Sequence, residues 1–423
     1  MVTGVAVLIA SAGCGTVQQA AAASHGVVKI GVLAPLTGPI AGAGANEVNG
    51  WNLYWQQHGS TIDGFKIQSI ELDTAGNPAQ GLTQARKLVA DGVSMDVGPM
   101  LANVGYAVAS TFESHKIPFF YPFAPSAKLT QPNNDPYFLR LAGWTALQPS
   151  FAAAQWACKT AKLKTAVTIA PNYSFGWETV GGFAQLYSDL GCKIVKQIWP
   201  PETTTNFSPY LSQIAALHPS MVFAEVTGNA AGPFLEQWQT FGLSKIPLVG
   251  HDTTTALDDI GGTPAKYVDG VISFRHYTAA RQDTLNQKFD LAYAKKYGKL
   301  PSYQAAAAYT AAQWIAAGIA KMHGNVSNTL AFVKVLKGIS FKDSLMGPMR
   351  LDQYGSPIEN VYMSKVEATP KAFQKYSPYW NQVVKVYTNV SQFGPFNPKE
   401  FIKQPAYTTT FQGINYKATR LAK

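Results

Sequence analysis

Cysteine is scarce, with three residues in a chain of 423. So few exclude a small disulfide-stapled fold and a cysteine-rich zinc module. Charge is scarce too: charged residues make up 14% and hydrophobic residues 47%, a balance that supports large cores and excludes a disordered chain. Lys and Arg (34) outnumber Asp and Glu (24), for a formal net charge of +10. The densest basic stretches, Lys159 to Lys164 and Lys295 to Lys299, are short and look like helix ends, so no nucleic-acid-binding patch is expected. No apolar run is long enough to span a bilayer. The chain has no G-x-S-x-G elbow, no H-E-x-x-H, no C-x-x-C and no Walker phosphate loop. Gly42-Ala43-Gly44 opens like a dinucleotide loop, but Glu47 stands where the third glycine belongs. The seven histidines are scattered singly. His251 and Asp252 adjoin, but neighbours at a strand end point to opposite sides. The reading is therefore of a non-enzyme, with no cofactor and no metal.

Val5 to Ala10 is apolar and runs through Ser11-Ala12-Gly13 into Cys14. Small residues before a cysteine resemble a lipobox, with Cys14 as a lipid-modified N-terminus. Cleavage at Ala21-Ala22-Ala23 is the alternative. Either way residues 1–26 read as an export leader and linker, and any membrane attachment is through the lipid. The mature chain then keeps Cys158 and Cys192. Each precedes a strand, and in a parallel sheet both strand entries lie on one edge, so a disulfide between them is expected.

Past the leader, strand and helix patterns alternate. Val27–Leu33 is a continuous β-branched apolar run, as in a strand buried on both faces. Helix-like Ala45–Gln57, strand-like Lys66–Asp73, helix-like Pro78–Asp91 and strand-like Met95–Val97 follow. A second series of the same kind begins after Leu139-Arg140-Leu141, with strands at Thr165–Ala170, Lys193–Ile198, Met221–Glu225 and Pro247–Gly250. The fold class is α/β: two Rossmann-like lobes, each with a central parallel sheet. The expected division is 27–142 plus 277–347 for lobe 1 and 143–276 plus 348–365 for lobe 2. The Tyr- and Pro-rich residues 366–423 form an extension packed on a lobe. Two successive α/β lobes imply a cleft between them, with ligands at the carboxyl ends of the strands.

The order of motifs supports a family reading. Ile30-Gly31-Val32-Leu33-Ala34-Pro35-Leu36-Thr37-Gly38-Pro39, Asp73-Thr74-Ala75-Gly76-Asn77-Pro78, Val97-Gly98-Pro99, Lys116-Ile117-Pro118-Phe119, Tyr137-Phe138-Leu139-Arg140, Tyr173-Ser174-Phe175-Gly176-Trp177 and Asp269-Gly270-Val271 occur in sequence. This series resembles the branched-chain amino-acid-binding proteins of ABC transporters, with their type I periplasmic binding fold and three-segment hinge. The resemblance covers about residues 27–365. It implies an extracytoplasmic protein that captures a small polar solute, an amino acid or a derivative, and hands it to a membrane permease. An aromatic or short-chain carboxylate, an amide or urea on the same fold is the alternative, as is a ligand-sensing module.

Residue by residue, the resemblance implies that the ligand carboxylate sits on the loops holding Ala102 and Asn103, and Phe123, Ala124 and Ser126. Free N–H groups at the helix starts that follow would favour an anion there. Tyr173 and Phe175 would cover the ligand, Thr227 and Asn229 would face the cleft, and Asp252 would pair with an α-ammonium. Ala43, Trp144, His276 and Tyr277 are wall or hinge residues, and the small Ala43 leaves room for a bulkier ligand.

Overall fold

The computed structural model describes Met1, residues 26–132 and residues 135–416. Cys14 and the leader lie outside the described residues.

The strand Gly26–Ala34 is the spine of a six-stranded sheet. It pairs in parallel with Phe65–Asp73 on one side and Met95–Val97 on the other, and the sheet continues through Phe119–Phe120 to Phe138–Leu139. Ile30 and Val32 are buried on one face, and Leu33 on the other. That explains why the run is continuous rather than alternating. The helix Ala41–His58 starts four residues earlier than its apolar pattern indicates, and it lies against Tyr303–Lys321. At Gly50 the two backbones meet so closely that a Cβ would stand 2.0 Å from the Ala305 carbonyl oxygen. Glycine there costs helix propensity but permits the contact.

Two of the sequence motifs prove to be bonded to each other. Asp73, at the end of its strand, accepts from Leu36 N, Thr37 N and Thr37 Oγ1 at 2.8, 3.2 and 2.6 Å, and from Ala75 N at 2.7 Å. The turn after the first strand is thereby fixed to the turn after the second. Asn77 then caps the helix Pro78–Ala90 by accepting from Ala79 N and Gln80 N, with proline at the first helical position.

The second sheet has nine strands and is mixed, not purely parallel. Lys193–Ile198, Thr165–Ile169, Met221–Ala224, Leu248–His251 and Ile272–Arg275 run parallel. Pro357–Ala368 then pairs antiparallel with Ile272–Arg275, and Tyr379–Val390 antiparallel with Pro357–Ala368. The extension thus supplies a full strand. Farther on, Phe393, Phe396, Phe401 and Tyr407 join the core around Phe151 and Phe183. The chain passes between the sheets three times. It leaves the first after Leu139, leaves the second after Arg275 for the helices Thr284–Tyr297, Tyr303–Lys321 and Thr329–Lys337, and returns near Ser340. Leu345, Met346 and Met349 are buried with the first core although Met349–Leu351 pairs with Pro357–Ala368, so this segment ties the lobes together. Cys158 and Cys192 form a disulfide that closes a 34-residue separation. No described helix is long and apolar enough to cross a membrane.

Candidate functional site

The carboxyl ends of both sheets meet at a group of aromatic rings. Trp144, just past the first crossover, is fully buried and stacks on His276 with centroids 4.1 Å apart. Phe175 meets the same indole edge-on at 5.8 Å and His251 at 5.4 Å, while Tyr173 lies 6.1 Å from Phe175. Tyr303 reaches this group from the first lobe, 5.6 Å from Trp144. Local sequence explains the placement. Tyr173 is the N-cap of the helix Ser174–Asp189, His251 ends its strand, and Tyr303 opens a helix capped by Ser302. Each ring therefore sits where an element begins or ends, at the cleft edge.

The lobes also bond across the cleft. Asn46 Nδ2 donates to Asp258 Oδ2 at 2.6 Å, and Lys299 Nζ contacts Asp258 Oδ1 at 3.3 Å.

The electrostatics of the cluster follow from burial. Burial, helped by the Arg275 charge, pushes the His251 imidazole down to about 3. Burial, then His251 and Arg275, hold His276 well below its ordinary value. Both rings are therefore neutral near pH 7. His276 Nδ1 is 2.9 Å from Glu359 Oε1, while its Nε2 and the indole Nε1 of Trp144 have no hydrogen-bond partner among the described residues. Burial raises Asp252 to about 6 against the opposing pull of Arg275, and raises Asp259 to about 6 and Glu225 to about 8.

Of the residues singled out from sequence, Trp144, Tyr173, Phe175 and His276 come together in this cluster. Asp252 adjoins it, but its carboxylate is not free: Oδ1 is 3.0 Å from Arg275 Nη1, and both residues are buried. Thr227 lines a neighbouring pocket, whereas Asn229 is exposed. Ala102 is the first residue of the helix Ala102–Ser114, which has no side-chain cap at Leu101. The N–H groups of Ala102 and Asn103 therefore have no intrahelical partner, whereas Val104 N donates to Asn103 Oδ1 at 2.9 Å, and Asn103 is exposed. Ser126 is engaged elsewhere, donating from Oγ to Glu178 Oε1 at 2.6 Å, while the Ala124 carbonyl accepts from Arg140. Phe123 and Tyr277 belong to the first core, where Tyr277 donates to Asp290 at 2.9 Å; Ala43 packs at that core's edge.

Sequence reasoning missed Glu225, Arg275 and Tyr303. Glu225 had a signal: it is a lone acid at the carboxyl end of the buried run Met221–Ala224. No cluster of three or more potential metal ligands occurs among the described residues.

A periodic pattern of two open sheets with a shared cleft has known counterparts. The family model described as periplasmic binding protein matches residues 27–371. The chain belongs to the periplasmic binding protein family. It is a binding protein, not an enzyme. Within this family it is 26% identical over 355 residues to Leu/Ile/Val-binding protein homolog 6 of Brucella abortus, covering 82% of this chain and 89% of that one. Among solved structures, an ABC transporter substrate-binding protein from Sphaerobacter thermophilus is 28% identical with a TM-score of 0.80, covering 86% of this chain and 99% of that one. A solute-binding protein of an ABC transporter from Rhodopseudomonas palustris BisB5, in complex with 3,4-dihydroxybenzoic acid, is 26% identical with a TM-score of 0.78, covering 86% of this chain and 98% of that one.

Proposed function

We propose that this protein captures a small carboxylate-bearing solute, an amino acid or a close derivative, between its lobes and delivers it to the permease of an ABC transporter. The observation that carries the reading is the ring cluster at Trp144, built from both lobes, with Tyr303 reaching across at 5.6 Å. A cluster assembled from both sides reports on lobe closure, because its contacts separate when the lobes do. In this reading the solute's carboxylate lies at the helix start, where the N–H groups of Ala102 and Asn103 and the dipole favour an anion, Val104 N being held by Asn103 Oδ1. Trp144, Tyr173 and Phe175 wall its apolar part, Thr227 lies beside it, and closure of the hinge is the transport signal. The protein works outside the cytoplasm, with Cys14 as its proposed lipid anchor.

An aromatic carboxylate is the second reading. The density of rings around Trp144 supports it, as does the benzoate-type ligand of the Rhodopseudomonas relative. A thermal-shift screen against amino acids, aromatic acids, amides and polyols tests both. A solute at 100 times its Kd stabilises the fold by about 2.7 kcal/mol. A shift with polyols or amides alone would reject the carboxylate reading, and Trp144→Ala should abolish the shift caused by the true solute.

A further inference from the structure

We propose that Glu225 receives a cationic nitrogen of the bound solute through its Oε2 atom, so that the favoured ligand carries a primary ammonium. The inference rests on the solute-binding reading above and specifies its chemistry.

Glu225 is fully buried at the carboxyl tip of its strand. Thr253 Oγ1 donates to Oε1 at 3.0 Å and fixes the carboxylate, while Oε2 has no partner among the described residues. A buried carboxylate oxygen left unpaired is costly in the folded chain alone, and a ligand donor would relieve that cost. The carboxylate lines a small pocket at the strand tips of the second lobe, together with Pro171, Pro201, Glu202, Phe207 and Thr227. No lysine or arginine is among the residues lining that pocket. Asp252, the acid expected to bind an ammonium, is already paired with Arg275. The Glu225 donor Thr253 lies two residues after His251 of the ring cluster, and burial, then charges that include Glu225, raise the hydroxyls of Tyr173 and, from the first lobe, Tyr303. Aromatic faces next to a carboxylate suit an ammonium.

Burial raises Glu225 to about 8 against the pull of the Thr253 hydrogen bond, with smaller pushes from the charged groups Glu202 and Asp259. The carboxyl is therefore mostly protonated at pH 7. Binding an ammonium exchanges that proton for the ion pair: the O–H bond breaks, the proton goes to solvent, and the carboxylate accepts from the N–H groups.

The test uses L-leucine, L-phenylalanine, their ammonium-free analogues 4-methylpentanoate and 3-phenylpropanoate, and 3,4-dihydroxybenzoate. Calorimetry at pH 7 in phosphate and in Tris should show release of about one proton per bound amino acid. Affinity should rise up to about tenfold per pH unit below pH 8. Glu225→Gln, which keeps an acceptor for Thr253, should lose the proton release and weaken amino-acid binding at least about 30-fold. If that variant does not fold, the wild-type proton count decides alone. Binding of the ammonium-free acids without proton release, unchanged in Glu225→Gln, would leave the solute-binding reading standing and overturn the Glu225 assignment. If no member of the panel binds, both fall together.

Discussion

Asn46 in the first lobe donates from Nδ2 to Asp258 Oδ2 in the second at 2.6 Å, a bond that spans the cleft. Asn46 is fully buried and its Oδ1 accepts from Tyr293, so its amide is held in place before it meets its partner. Lys299 contacts the other Asp258 oxygen from the first lobe. Asp258→Ala should therefore favour separated lobes and weaken solute binding by about 3- to 10-fold, the loss of one charge-assisted hydrogen bond at a partly exposed site. Small-angle scattering of the solute-saturated variant should show a larger radius of gyration than the wild type. Equal radii and equal affinity would remove this bond from the closure mechanism.

Asp252 and Arg275 form a buried pair, with the guanidinium also donating to Ser364 Oγ at 2.8 Å and Ser273 Oγ at 2.9 Å. Removing one member leaves the other charge buried. Asp252→Ala should cost about 3–5 kcal/mol in urea denaturation. A variant as stable as the wild type but unable to bind would instead make Asp252 a solute ligand.

Stability should fall as pH rises above about 6.5. Burial raises Glu47, Asp96, Glu225 and Glu359, so the folded chain holds protons that the unfolded chain releases near the ordinary values of about 3.9 for Asp and about 4.3 for Glu. Where the folded state binds more protons, stability declines with pH. His251 and His276 act in the opposite sense: their depressed values cost stability only below about 6.5, where unfolded histidine is charged. Urea titrations at pH 6.5, 7.5 and 8.5 measure the slope. Glu225→Gln should remove about 2 kcal/mol of the decline across that range. A stability that increases over that interval would contradict these buried acids.

Cys158 and Cys192 are 34 residues apart and join a helix end to a strand entry. Replacing both with alanine frees that loop in the unfolded chain. The loss should be about 3–4 kcal/mol by the loop-entropy relation, seen as a lower urea midpoint. No change on reduction of the wild type would show that the bridge contributes nothing.

The extension docks through Tyr407. Its ring lies where a Cβ on Gly181 would come within 2.2 Å, and its hydroxyl donates to Gln185. Tyr407→Ala should destabilise the fold by about 3–5 kcal/mol and expose residues beyond Gly394 to limited proteolysis. Unchanged resistance would mean that the tail is held elsewhere.

The linear sequence by itself determined the two α/β units. In Val27–Leu33 and Met221–Glu225 the continuous apolar runs are dictated by burial on both sheet faces, and Asn77-Pro78 marks a helix start through local capping chemistry. The paired turns at Thr37 and Asp73 were visible as motifs, though not as bonded partners. Trp144, Tyr173 and Phe175 were legible through the resemblance to the branched-chain amino-acid-binding proteins, which implies aromatic walls at those loops. Only the tertiary structure decided which acid is paired with a cation, since Asp252 and Glu225 look alike in sequence. The difference is Arg275, which arrives from the next strand to pair with one of them. Sequence periodicity likewise cannot tell an antiparallel neighbour from a parallel one. The place of Tyr379–Val390 beside Pro357–Ala368 was therefore settled by long-range pairing, and so was the reach of Tyr303 to Trp144 from across the cleft.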